Sequence, residues 1–316
     1  NATEGVNGIL RSLSFKSGDQ ILVTNHGYPA CKNIVDFIAN RWGLEVVIAE
    51  FGFQGIDADT VVEKIMGSVT HRTRIALIDH VTSPTGLVLP VERLVPELEA
   101  RGVRTLIDGA HGPGMLDLSM RRLNPSWYVG NCHKWICAPK GAGIMYLRED
   151  CQSNIHPATI SHGFSMHPDQ VGRNGLHLEF DWTGTQDPTP CLTVPKALEV
   201  IEEMLPGGWD AVRTRNRNMV LKASAVLCDA LQIDPPVPDE MISHLSAFPL
   251  PPSDEPSSPL YGSPLQLKLL ESFGIEVPIV PWPNTPERLV RISGALYNAA
   301  EDYLKLAAAL RQVYSC

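Results

Sequence analysis

Apolar and polar positions alternate along the first half of the chain in a regular rhythm. Six short β-rich runs, at residues 20–24, 44–49, 74–79, 103–108, 127–130 and 143–147, are separated by longer stretches with other spacing. The runs are largely apolar rather than alternating, as expected of strands covered on both faces. Residues 29–41, 57–67 and 91–101 between them carry apolar side chains at helical spacing. Residues 1–11 read as the first turns of a helix, with Asn1 or Thr3 able to cap it and Glu4 at the positive end of its dipole. Strand–helix–strand alternation predicts an α/β fold: a three-layer sandwich around a mostly parallel sheet.

Beyond about residue 205 the texture changes. Pro206-Gly207-Gly208 breaks the chain, and a long helix pattern runs over 209–231. A Pro/Ser-rich loop over 249–259 is followed by a helix at 265–273, a strand at 276–280 and a helix at 296–313. We expect a large α/β domain over 1–205 and a smaller C-terminal α+β domain over 206–316. A domain seldom opens on a helix without a strand or arm before it, so the chain reads as part of a longer one. No internal repeat is evident.

Composition narrows the function classes. Of 316 residues, 44% are hydrophobic and 19% charged, the balance of a globular protein rather than a disordered one. Lys and Arg number 26 against 35 Asp and Glu, a net charge of −9, with no basic cluster. Nucleic acid and anionic membrane are therefore poor partners. The longest apolar stretches are strand-length, well short of the ~18 residues of a membrane span. Seven cysteines, an odd number without a Cys-x-x-Cys pair, suggest a reducing, cytoplasmic setting and no metal site.

In open α/β sheets ligands bind outside the carboxyl ends of the strands. Those ends carry Asn25-His-Gly-Tyr28, His80-Val-Thr-Ser-Pro-Thr-Gly86, Asp108-Gly-Ala-His111 and Asn131-Cys-His-Lys134. A carboxylate ending an apolar strand needs a cationic partner, and a lysine in an apolar run needs an anionic one. Asp108 and Lys134 satisfy this either as a structural pair or by facing a third object from opposite sides. Pyridoxal phosphate is such an object, since its aldehyde condenses with a lysine and its ring nitrogen pairs with an aspartate. The start of the first helix, Ala2-Thr3-Glu4-Gly5, offers amide groups and a hydroxyl suited to a phosphate.

Six segments carry a family resemblance: Asn-Ala-Thr-Glu-Gly-Val-Asn (1–7), Asp-His-Val-Thr-Ser-Pro-Thr-Gly (79–86), Asp-Gly-Ala-His-Gly-Pro-Gly (108–114), Gly-Asn-Cys-His-Lys-Trp (130–135), Trp-Thr-Gly-Thr-Gln-Asp (182–187) and Arg-Ile-Ser-Gly-Ala-Leu-Tyr-Asn (291–298). In this order and over nearly the whole length, the chain resembles the class-V aminotransferases, fold-type-I pyridoxal phosphate enzymes, and within them the isopenicillin N epimerase-like subfamily. The resemblance implies that Lys134 forms the internal aldimine and that Asp108 keeps the ring nitrogen protonated. It places His111 near the phenolic oxygen and Tyr28 over the ring face, with Ala2, Thr3 and His133 on the phosphate. Thr185 would reach the phosphate of a neighbouring subunit, implying a homodimer. Ser83 stands where desulfurase relatives carry an asparagine near the ring, and Arg291 would clamp the substrate's α-carboxylate. The family usually carries an N-terminal arm and first strand before this helix, so the resemblance too leads us to expect a longer chain.

The implied reaction is epimerisation of an amino acid at Cα, with β-elimination by a C–S lyase or cysteine desulfhydrase as the alternative. A truncated or silent member acting as a binding protein is a third reading. Persulfide-forming desulfurases need a cysteine on a loop before the terminal arginine motif, and residues 241–294 contain none. Epimerisation needs a second proton-transfer group opposite Lys134, for which Tyr28 and His162 are candidates. No Gly-x-Gly-x-x-Gly follows a strand, which argues against a dinucleotide-binding protein.

Overall fold

The computed structural model describes residues 1–255 and 262–314. The chain forms two compact units. One comprises Asn1–Glu50, Val62–His80 and Pro90–Glu199; the other comprises Phe51–Val61, Val81–Leu89 and the chain from Val200 onward. The two early excursions group with the later residues for a physical reason. The Gly55 amide donates to the Pro236 carbonyl at 2.8 Å and the Val88 amide to the Met241 carbonyl at 2.9 Å.

The first unit holds a six-stranded sheet of β1 (Gln20–Thr24), β2 (Glu45–Ala49), β3 (Thr73–Asp79), β4 (Arg104–Gly109), β5 (Trp127–Asn131) and β6 (Gly143–Leu147). The strand order is β2-β1-β3-β4-β5-β6, with the first five parallel and β6 antiparallel to β5. This is the mostly parallel α/β sheet that the apolar runs predict. The order reverses between β1 and β3, the kind of switch point at which open α/β sheets bind ligands.

Helices α1 (Ala2–Ser12) and α2 (Pro29–Trp42) pack together against the sheet. Val6, Ile9 and Leu10 of α1 meet Ile34, Val35 and Ile38 of α2 over Ile21, Ile75, Leu106 and Val129. Each such side chain contributes about 1.5–3 kcal/mol on burial. The Asn1 side chain caps α1 by accepting the Glu4 amide at 3.0 Å. Pro29 opens α2, and Gly43, at φ 68°, closes it in the left-handed conformation that glycine adopts without strain. Helix α3 (Ala58–Gly67) and helix α4 (Val91–Ala100) match the expected spans within a residue. Glu99, near the end of α4, accepts from the Thr105 amide and hydroxyl and from the Ser126 hydroxyl, tying the helix to β4 and the start of β5.

The second unit contains α5 (Gly208–Leu231), α6 (Pro264–Phe273) and α7 (Ala300–Tyr314) with an antiparallel sheet of β7 (Leu245–Leu250), β8 (Ile279–Pro281) and β9 (Arg288–Ser293), in the order β7-β9-β8. The strand expected at 276–280 is the shorter β8. β7 and β9 escape the sequence pattern because β7 runs into the Pro/Ser-rich stretch and β9 carries two arginines among its apolar residues. Residues 256–259 of the expected 249–259 loop lie outside the described residues.

Candidate active site

The polar segments expected at strand ends follow β1, β3, β4 and β5, on one edge of the sheet. Lys134 lies in the turn after β5, half-buried, with Nζ 2.9 Å from His111 Nε2. The loop after β4 that carries His111 meets this turn backbone to backbone. A Cβ on Gly114 would fall 2.7 Å from the Trp135 carbonyl carbon, and Gly114 has φ +81°, so only glycine fits. Trp135 Nε1 donates to His111 Nδ1 at 3.3 Å. One loop thus delivers the histidine, and the other supplies both the lysine and the indole that flank it.

Asp108 is 3% exposed and stands in register with Asp79 on β3 and Val129 on β5. Its Oδ1 accepts the Ala110 amide at 3.0 Å, and its Oδ2 accepts the thiol of Cys31, at the start of α2, at 3.1 Å. Burial, then the Asp108 carboxylate, push the Cys31 thiol far above its usual range, so it remains a donor. Asp79, 5% exposed, is pushed well above the usual carboxylate range, first by burial and then by Asp108. It also accepts a hydrogen bond from the Tyr28 backbone. Two like carboxyl groups side by side in a dry sheet end cannot both ionise cheaply, and the proton on Asp79 relieves the pair.

Beneath this pair lies Tyr128, completely buried. A Cβ on Gly109 or Gly112 would come within 2.0 Å of Tyr128 atoms, so both glycines exist to let the loop rest on the phenol. The Tyr128 hydroxyl pairs with His80 Nδ1 at 3.1 Å, and the His80 amide donates to the Asp108 carbonyl at 2.8 Å. The Asp108–His111 loop is therefore supported from below by a fixed ring.

Tyr28 occupies the N-cap position of α2 with 41% of its surface exposed. Ala2 is buried, and its amide donates to Asn131 Oδ1 at 2.9 Å, which ties the start of α1 to the end of β5. That amide is paired within the protein, whereas the amide and hydroxyl of neighbouring Thr3 make no hydrogen bond among the described residues. His133 is half-buried, with Nδ1 2.9 Å from the Ala142 carbonyl, so Nδ1 carries the hydrogen. Thr185 and His162 are exposed. Ser83 and Arg291 belong to the second unit, where the Arg291 guanidinium donates to the Ser83 carbonyl and, at 3.2 Å, to its hydroxyl. Burial pulls the pKa of Arg291 down.

Sequence reasoning gave no site role to Asp79, Cys31, Tyr128, Asn131 or Trp135. Asp79 ends an apolar strand as Asp108 does, and that signal was available. Cys31 lies in a helical stretch and Tyr128 in an apolar run, and only the three-dimensional packing puts them on the site.

A family model, aminotransferase class V, matches residues 1–235. Isopenicillin N epimerase of Streptomyces clavuligerus is 30% identical over 98% of this chain and 78% of its own length. A probable chloroplastic L-cysteine desulfhydrase of Arabidopsis thaliana is also 30% identical, over 95% of this chain; the chain spans 65% of that protein. Among solved structures, the apo cysteine desulfurase of Thermococcus onnurineus NA1 superposes with a TM-score of 0.77 at 19% identity, over all of this chain and 78% of that one, a likeness of fold. With the match over residues 1–235 and the near full-length similarity to the epimerase, the chain belongs to the class-V aminotransferases, a family of pyridoxal phosphate enzymes.

Proposed function

We propose that this protein uses pyridoxal phosphate to act at Cα of an amino acid, with epimerisation as its reaction. The observation that carries the reading is the lysine–histidine contact of 2.9 Å beside the buried Asp108 carboxylate. When bound, the cofactor supplies an aldehyde that condenses with amines and a ring that accepts the electron pair of a breaking Cα bond. The residues present suit that group. Lys134 offers the amine, and Asp108 a carboxylate whose Oδ2 already holds a weak donor, the Cys31 thiol, which a ring N–H outbids. Thr3 offers, at a helix start, an amide and a hydroxyl that make no hydrogen bond among the described residues.

In this reading Lys134 carries a proton to and from Cα on one face, and Asp108 holds the proton of the ring nitrogen. His111 donates to the phenolic oxygen, Tyr28 covers the ring, and Ala2, Thr3 and His133 lie at the phosphate. Arg291, braced by Ser83, takes the substrate's α-carboxylate. Tyr28 or His162 serves the opposite face of Cα.

A second reading, β-elimination by a C–S lyase, is favoured by the desulfhydrase relative at 30% identity over 95% of the chain. The protein works as a homodimer in either case, Thr185 reaching the neighbouring copy. Exposed Ile160, Phe164, Trp182 and Leu192, from the stretch of chain around Thr185, support such an interface.

Visible absorbance after adding pyridoxal phosphate, beside Lys134→Ala, tests the first step. A band that borohydride bleaches and the variant lacks is the expected result; no band in the folded protein refutes the reading. Amino-acid substrates then separate loss of chirality from release of sulfide and pyruvate.

A further inference from the structure

We infer that Trp135 is a positioning residue that fixes the tautomer of His111, so that the imidazole nitrogen facing Lys134 is always a donor. An indole N–H can donate but has no lone pair to accept. Trp135 Nε1 lies 3.3 Å from His111 Nδ1, which must therefore present its lone pair. A neutral imidazole carries one hydrogen, and with Nδ1 accepting, that hydrogen sits on Nε2. Nε2 is the atom 2.9 Å from Lys134 Nζ.

The contact between His111 and Lys134 then has one direction. His111 donates, and Lys134 receives with the lone pair of an uncharged amine, the form able to attack an aldehyde. The opposite direction, ammonium to imidazole, would put two hydrogens in conflict across the Trp135–His111 contact. Other groups facing Lys134 pull differently. Asp108, as an anion, favours the ammonium, while Asp79, held protonated by burial and by Asp108, adds little charge. Cys31 keeps its proton. The indole is the element that biases the site toward the amine.

The arrangement is built into the backbone. Gly114 lets the His111 loop touch the carbonyl of Trp135 itself, and the two rings lie 6.3 Å apart at 50°. A tryptophan next to the lysine could otherwise be read as core packing, yet it is only half-buried and spends its one polar atom on the histidine. That the Nε2 hydrogen serves a cofactor's phenolic oxygen rests on the function proposed above; the tautomer does not.

Histidine nitrogen NMR of the ¹⁵N-labelled full chain, free of cofactor, tests this, with His111 assigned by its loss in His111→Gln. Nδ1 should resonate in the unprotonated range and Nε2 in the protonated range. In Trp135→Phe the bias toward Nε2–H should fall about tenfold, the worth of one hydrogen bond. Incorporating β-(3-benzothienyl)alanine at position 135 keeps the ring shape and removes only the N–H, and should give the same loss if the Phe variant folds poorly. Pulse labelling of Lys134 with an amine-reactive reagent at neutral pH, read by mass spectrometry, should slow in both. A protonated Nδ1 in the native chain, or an unchanged tautomer in the benzothienyl protein, overturns the inference. The function could fail, with no absorbance band, while the tautomer result stands, so the two are separable.

Discussion

The loop that carries Asp108 and His111 rests on Tyr128, and a double-mutant cycle can measure that support. A Cβ on Gly112 would meet the Tyr128 hydroxyl oxygen at 2.0 Å, while the next nearest atoms, Gly109 O and Leu118 Cδ1, are 3.3 Å away. The clash is thus with one oxygen. Tyr128 is 0% exposed and lies between β4 and β6, so its ring has no room to retreat. Gly112→Ala alone should cost about 3 kcal/mol, the upper end for overpacking a close-packed interior. Tyr128→Phe alone removes the partner of His80 Nδ1 and should cost ~1–3 kcal/mol. Added independently, the losses would reach ~4–6 kcal/mol. In the Phe background, however, no atom lies nearer than 3.3 Å to the new methyl, and Gly112→Ala should become nearly silent. The pair should therefore show a coupling of ~2–3 kcal/mol in favour of the double variant. Urea unfolding of the four proteins, followed by circular dichroism with unchanged m-values, reads this directly. If the double variant loses the full sum, the phenol is not what the glycine accommodates.

Asp108→Asn should leave the borohydride-sensitive band in place while lowering turnover ~10²–10³-fold, the scale of removing one fixed electrostatic partner; steady-state kinetics checks it. His244, 1% exposed, has its pKa lowered by burial from 6.5 to about 4. The unfolded chain then binds the extra proton between those values, so this stability is complete above pH 6.5 and is lost as pH falls toward 4. The difference amounts to about 3 kcal/mol, and His244→Gln should flatten the change in urea midpoint across that window. Glu99→Ala should cost ~3 kcal/mol by leaving the Thr105 and Ser126 hydroxyls and Arg148 without their shared acceptor, and thermal denaturation would show it.

Much of this fold was legible because its strands are buried on both faces. Apolar runs located all six strands of the large sheet to within a residue, and apolar side chains at helical spacing marked the helices between them. β9 was not legible: Arg288 and Arg291 interrupt its apolar residues, and Arg291 is in a strand to reach Ser83, a contact between residues 208 positions apart. Lys134 and Asp108 stood out because charge at the end of an apolar strand is costly without a reason. Cys31, Tyr128 and Trp135 did not, since a thiol, a phenol and an indole are ordinary core residues until their single polar atoms are seen to be spent on Asp108, His80 and His111.

The two buried carboxyl groups show how neighbouring strands divide one task. Asp79 and Asp108 occupy the same register position at the ends of β3 and β4, yet their partners differ. Asp108 accepts the Ala110 amide and the Cys31 thiol. Burial, and then the field of Asp108, drive Asp79 to hold a proton, while it accepts from the Tyr28 backbone. One member is thus available as an anion toward a ring nitrogen. The other, neutral, fixes the segment that presents Tyr28 without adding a second charge to the site. Replacing Asp79 by Asn should accordingly disturb little, because an amide reproduces the neutral acid, whereas the same change at Asp108 removes the charge on which the proposed chemistry depends.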